Sequence, residues 1–219
     1  MKPAAQFQDK PGAPATAPGP LQGSAARDFL FLRLGGLIPL VFFGTTAVCG
    51  WIHGRYNHLT GMVSELGALG TRSQHVFTAG LLTCALLSVG FNLALLRACR
   101  RQKVSPLPVL LLFSFTVSIA GAGLFPLPTR LHLLAGMPAS LLVLSPLASL
   151  LLWRGGTAPA RSGKMAAISL GVMCLGFLSF FPGVLPQSMG LKQRLFHLGW
   201  SIWFIHLSLG FRARVPETT

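Results

Sequence analysis

Six apolar runs, each close to the length a helix needs to cross a bilayer, constrain this chain more than any motif in it. They lie at about 29–51, 77–96, 107–125, 131–153, 165–185 and 195–211. A helix rises about 1.5 Å per residue and the hydrocarbon layer is roughly 30 Å thick, so about 20 apolar residues suffice. Backbone N–H and C=O groups find no water in that layer. Each run must satisfy them internally, which leaves the helix. The expected fold is all-α: a polytopic membrane protein, a bundle of six transmembrane helices. Composition agrees, since 52% of the 219 residues are hydrophobic and only 10% are charged, against about 25% charged in soluble domains.

The flanks and breaks follow. Residues 1–28 form a tail rich in Pro, Ala, Gly and Gln, a composition that cannot bury a core and is expected to be disordered. It does not read as a signal peptide, because the first apolar run starts late and is as long as a span. The helical domain is 29–211 and a short tail, 212–219, closes the chain. Pro138, Pro146 and Pro182 are expected to kink their helices, and Pro126, Pro128 and Pro186 to sit at helix ends. The four cysteines, Cys49, Cys84, Cys99 and Cys174, are isolated. They make no CxxC pair and read as small packing residues.

The net charge of +14 does not point to nucleic acid, because Lys and Arg cluster between apolar runs rather than along one face. Lys2, Lys10, Arg27, Arg97, Arg100, Arg101, Lys103, Arg154, Arg161, Lys164, Arg212 and Arg214 fall on one side. Arg55, Arg72, Arg130, Lys192 and Arg194 fall on the other. Arg33, early in the first run, can snorkel towards the first side. The positive-inside rule then makes both termini cytoplasmic, in a cell membrane, with a bacterial inner membrane the natural reading. Trp51, Trp153, Trp200 and Trp203 lie near run ends and read as interfacial anchors.

The outer loops carry the chemistry. In the longest, Glu65 is the only acid between Asp28 and Glu217. Leu59, Met62, Val63 and Leu66 are spaced for one stripe of a short helix that Asn57 would cap, with His58, Gly61 and Glu65 on the next stripe. Gly67 and Gly70 would then let the chain turn. A short repeat recurs at the outer ends of the even-numbered runs. Arg72 precedes His75, Arg130 precedes His132, and Arg194 precedes His197. Three helical hairpins side by side would bring these pairs to one rim.

Several chemistries fit such a rim. Glu65 can pair with Arg72, Arg130 or Arg194 and pin the loop to the bundle. Arg72, Arg130 and Arg194, with His58 and His75, outnumber the acid and suit an anionic lipid head group. His75, His132 and His197, with Glu65 or His58, form a candidate zinc set that could activate water. Glu65, Ser64, His132 and His197 are the candidate catalytic residues, with Ser64 as a nucleophile beside a histidine base; a plain loop hydrogen bond is the alternative role for Ser64. His206 and Asn92 read as interhelical hydrogen bonders.

Tyr56-Asn57-His58-Leu59, Ser64-Glu65-Leu66-Gly67, Phe125-Pro126 with His132, and Gly190-Leu191 with Gln193-Arg194 together resemble the domain-of-unknown-function 998 family of prokaryotic integral membrane proteins. The resemblance covers about residues 29–211. That family more usually has Asp after the serine, so Glu65 adds one methylene. The Ser-Glu-Leu-Gly turn is also similar to a turn of the six-helix Frag/DRAM/Sfk group, some members of which are tied to lipid remodelling. The resemblance implies the fold and singles out Ser64 and Glu65, and it implies no activity.

Three function classes stand at this point. One is a non-enzymatic protein that binds an anionic lipid head group or a partner. The second is a membrane-embedded lipid hydrolase or acyltransferase, metal-dependent in one version. The third is a small transporter or flippase, disfavoured by how few polar residues the runs contain. Membrane lipids are the expected partners. Gly121-Ala122-Gly123 can serve helix packing within one chain or in a homo-oligomer.

Overall fold

The computed structural model describes residues 20–153, 162–181 and 183–213. Six helical rods make up the described chain: α1 (Pro20–His53), α2 (Gln74–Gln102), α3 (Leu107–Leu124), α4 (Arg130–Leu152), α5 (Gly163–Ser179) and α6 (Met189–Arg212). Four of them, α1 to α4, are long and apolar enough to cross a membrane, and α5 is a shorter apolar helix. Among the described residues no regular element is a strand. The rods thus sit where the apolar runs predict.

Each rod packs against the next in sequence, and α6 returns to α1, which closes a ring. Its centre is filled by aromatic rings on α6. Trp200 meets Phe42 of α1 and Phe115 of α3, and Phe204 meets Phe91 of α2 and Phe115. Small residues set the close approaches, as expected where helices gain little from hydrophobic burial against each other in lipid. A Cβ on Gly80 would strike Thr45, one on Gly121 would strike Ala135, and one on Gly199 would crowd the Met173 backbone. Gly121 and Gly123 therefore pack within the chain.

The prolines act unequally. At Pro138 the α4 helix switches to 3-10 geometry over Met137–Val143 before α-helix resumes at Leu144. Proline has no N–H for the ladder and crowds the preceding turn. Pro146 lies buried in the resumed α-helix. Pro186 opens a 3-10 turn, Pro186–Ser188, and Pro182 lies outside the described residues. Asn92 is interhelical as expected, its amide donating to Thr116 Oγ1 at 3.2 Å. His206 stacks on Trp203 one turn earlier on its own helix.

Two helix starts depart from expectation. α1 starts at Pro20, so the segment 20–28 is helical rather than part of a tail. This makes Asp28 an interior residue, 1% exposed, and it accepts from Arg97 Nε at 2.7 Å and Arg101 Nη1 at 2.5 Å. The two arginines are four residues apart, hence on one face of α2. Second, α6 starts at Met189, six residues before the apolar run. Trp200 and Trp203 consequently lie in mid-helix, 1% and 0% exposed, as core residues and not interfacial anchors. Trp203 Nε1 donates to Ser145 Oγ, and the buried Trp153 donates to the Ser105 carbonyl. Only Trp51, 83% exposed, keeps the anchor's position.

Candidate functional site

The loop from Gly54 to Ser73 folds back over one end of the ring. Asn57 does not cap an α-helix there; its Oδ1 accepts from Leu59 N and closes a side-chain turn. The only helical piece of the loop is a 3-10 turn, Val63–Gly67, which buries Val63 and Leu66 and leaves Leu59 exposed. The amphipathic stripe therefore starts four residues later than its spacing suggests. The Leu66 carbonyl accepts from both Thr71 Oγ1 and Ser73 Oγ, which ties the turn to the start of α2. Gly70, at φ +81°, makes the reversal that a side chain would strain. Gly67 instead lies where a Cβ would enter the Phe77 ring.

Two short stretches, 56–63 and 190–194, interlock. Gly190 N donates to Thr60 O and Leu191 N to Leu59 O. These N–H groups open α6 and have no partner inside the helix, so the loop serves as their cap. Val63 N donates to Gln193 Oε1 at 2.7 Å. Arg194 closes the lock. Its Nη1 donates to Gly61 O and Gly190 O, and its Nη2 to Tyr56 Oη and His58 Nδ1, both at 2.9 Å. The guanidinium also stands 5.6 Å from the Tyr56 ring centroid. Tyr56 in turn donates to Gly61 O at 2.8 Å. The backbones touch here, since a Cβ on Gly190 would overlap the Gly61 carbonyl.

Burial raises the Tyr56 phenol, partly offset by Arg194, which donates to it. Partial desolvation and the Arg194 charge lower the pKa of His58. Desolvation leads in both, and the half-buried Arg194 acts on both groups. It holds the phenol as acceptor and requires the neutral imidazole, because Nδ1 can accept from Arg194 only while unprotonated.

The remaining predicted site residues are not drawn into the lock. Glu65 borders it, with a carboxylate oxygen 3.1 Å from where a Gly61 Cβ would stand. It has no ion pair with Arg72, Arg130 or Arg194 among the described residues, where Asp28 is the acid that carries ion pairs. The staple expected of Glu65 is thus Arg194, gripping carbonyls, a phenol and an imidazole. Arg72 and Arg130 are exposed, as is His75. His132 Nδ1 donates to Phe125 O at 2.7 Å. His197 turns inward, 4.6 Å ring to ring from Phe42, its Nδ1 accepting from Trp200 Nε1.

The three Arg–His pairs do lie at one end, but in three different registers. Arg72 precedes its helix, Arg130 begins one, and Arg194 is five residues inside. Among the described residues no three His, Cys, Asp or Glu side chains gather as metal ligands, so His75, His132 and His197 do not converge. Among the described residues Ser64 has no hydrogen bond to a histidine, the arrangement that a nucleophile's role would need.

The lock joins two of the segments that carry the sequence resemblance, 56–59 and 190–194. The family model described as "Protein of unknown function (DUF998)" matches residues 37–210. The chain belongs to this DUF998 family. No curated protein and no solved structure matches it. The DUF998 match spans α2 to α5 and all three loops at the lock's end, together with half of α1 and most of α6.

Sequence reasoning missed Tyr56, Gln193 and Lys192 as structural residues. Tyr56, the chain's single tyrosine, and Gln193 were visible as neighbours of His58 and Arg194, but nothing in their spacing says that they meet. Lys192 is 2% exposed and donates through Nζ to the carbonyls of Phe181 and Val184, beyond the end of α5. It looks in sequence like one more surface cation.

Proposed function

We propose that this chain is a six-pass protein of the cell membrane, both termini cytoplasmic, whose outer rim binds an anionic lipid head group without catalysis. One observation carries the reading. Leu69 N donates to Leu127 O at 2.8 Å, which ties the turn ending in Arg72 to the turn ending in Arg130. Both arginines are exposed and neither has a protein partner among the described residues. Apolar side chains flank them: Leu69, Phe125, Leu131 and Leu133 are exposed beside the two turns. Paired guanidinium donors above an apolar band suit a phosphate at the depth of lipid head groups. Arg194 drops out of the ligand set, because both terminal nitrogens already serve two acceptors each.

The competing classes draw less support. An acyl-transfer reading needs a base on Ser64, and His132 and His197 are both engaged elsewhere. A transport reading needs polar groups near the midplane, where aromatic rings fill the ring of helices. The test is native mass spectrometry of protein extracted with its lipids. Anionic phospholipid should be retained by the wild-type chain and reduced at least several-fold in an Arg72→Gln, Arg130→Gln double variant, at about 1 kcal/mol per cation. Equal retention overturns the proposal.

A further inference from the structure

At the opposite end of the ring a second group of cations lacks an anion. Asp28 is fully engaged by Arg97 and Arg101. Next to it, the Phe29 ring takes two guanidiniums: Arg33 of α1 at 5.2 Å and Arg212 of α6 at 5.0 Å from its centroid. The two charges can therefore be no farther apart than two stacking distances, and they repel. Among the described residues neither arginine has a carboxylate partner. The Nε of Arg212 is buried and, among the described residues, has no hydrogen-bond acceptor. A buried guanidinium N–H without an acceptor is costly, and the cost disappears if an oxyanion takes it.

Depth agrees. Arg33 lies about 30 Å along α1 from His53, and Arg212 about 27 Å along α6 from Arg194, at 1.5 Å per residue. With the lock at one surface, both arginines reach the opposite head-group layer. Exposed Leu30 and Leu37 lie three residues before and four after Arg33, hence on its face of α1, so acyl chains can lie against that face.

We infer that Arg33 and Arg212, joined over Phe29, form a phosphate-binding seat between α1 and α6 for an anionic phospholipid head group of the second leaflet. The seat is independent of the outer rim, and its residues are different. It is built for a phosphate oxygen at Arg212 Nε, with the Arg33 guanidinium supplying the second charge.

The experiment titrates the purified chain in neutral detergent with phosphatidylglycerol, phosphatidylcholine or inorganic phosphate. The readouts are thermal midpoint and the lipid count by native mass spectrometry. Phosphatidylglycerol should raise the midpoint and leave a bound lipid that Arg33→Gln, Arg212→Gln loses, with affinity falling about 30-fold, roughly fivefold per cation. Inorganic phosphate acting alone at the same variant-sensitive site would assign the seat to a free oxyanion. Equal response to phosphatidylglycerol and phosphatidylcholine overturns the inference, and so does an unchanged lipid count in the variant. Should the double variant not fold, Arg212→Lys serves: it keeps the charge, loses Nε, and should weaken the lipid adduct. The Arg72, Arg130 variant should lose only its own lipid, so failure at either end is told apart from failure at the other.

Discussion

At the scale of single residues, the chain places one cation, Arg194, where a motif reading would place one anion, Glu65. Four acceptors depend on Arg194, whereas among the described residues the Glu65 carboxylate makes no hydrogen bond or ion pair. Arg194→Ala should therefore cost about 2 kcal/mol or more, because it strands partly buried acceptors and uncouples the loop from α6. Glu65→Gln should stay within about 0.5 kcal/mol. Denaturation midpoints of the two variants decide it, and a larger loss from Glu65→Gln would mean that the carboxylate is the staple after all. His58 adds a pH dependence. Its pKa in the fold lies below its ordinary value of 6.5, so the unfolded chain binds more protons just below that pH. Stability contributed by His58 is present above about pH 6.5 and declines as pH falls through the window beneath it. Arg194 and Tyr56 touch the His58 ring, His53 lies against Tyr56, and Glu65 borders Gly61. The thermal midpoint should fall between about pH 7.5 and pH 5, and fall less in His58→Gln. An identical fall in both chains would remove His58 as the cause.

At the scale of elements, what could be read from sequence was whatever has a period or a run length. The six rods appear because about 20 apolar residues are a physical quantity that composition exposes. The break at Pro138 appears because a missing N–H is local. The start of α6 was hidden, because Gly190, Lys192, Gln193 and Arg194 look like loop residues and the cap on their helix comes from Leu59 and Thr60, far away in sequence. That one displacement moved Trp200 and Trp203 from the interface to the core. The Asp28 pair with Arg97 and Arg101 was hidden for the same reason: it needs the register of α1 against α2, and pairing registers leave no periodic mark. The site residues were half legible. His58 and Arg194 stand out as polar exceptions in apolar surroundings, while their direct contact rests on the close approach that Gly61 and Gly190 permit.

At the scale of the whole molecule, the question is how the ring sits in a membrane. An alternating path puts the connections 54–73, 125–129 and 181–188 at one end, and the connection 103–106 at the other. The end with the lock holds five cations, Arg55, Arg72, Arg130, Lys192 and Arg194, and two of them, Lys192 and Arg194, are spent on backbone carbonyls. The other end holds eight among the described residues: Arg27, Arg33, Arg97, Arg100, Arg101, Lys103, Lys164 and Arg212. Because Lys and Arg resist translocation in short connections, that end should be cytoplasmic and the lock outside. Two positions report it with little disturbance to the fold. Thr60 is exposed in the locked loop, and Ser105 lies in the opposite connection. In a Cys174→Ser background, which removes the exposed native thiol and leaves Cys49, Cys84 and Cys99 buried, Thr60→Cys should react with a membrane-impermeant maleimide on intact cells. Ser105→Cys should react only after permeabilisation. Reaction of both without permeabilisation would exclude an alternating path, and the reverse pattern would turn the molecule over. In that case the paired Arg72 and Arg130 turns would face the cytoplasmic leaflet, and the Phe29 seat the outer one.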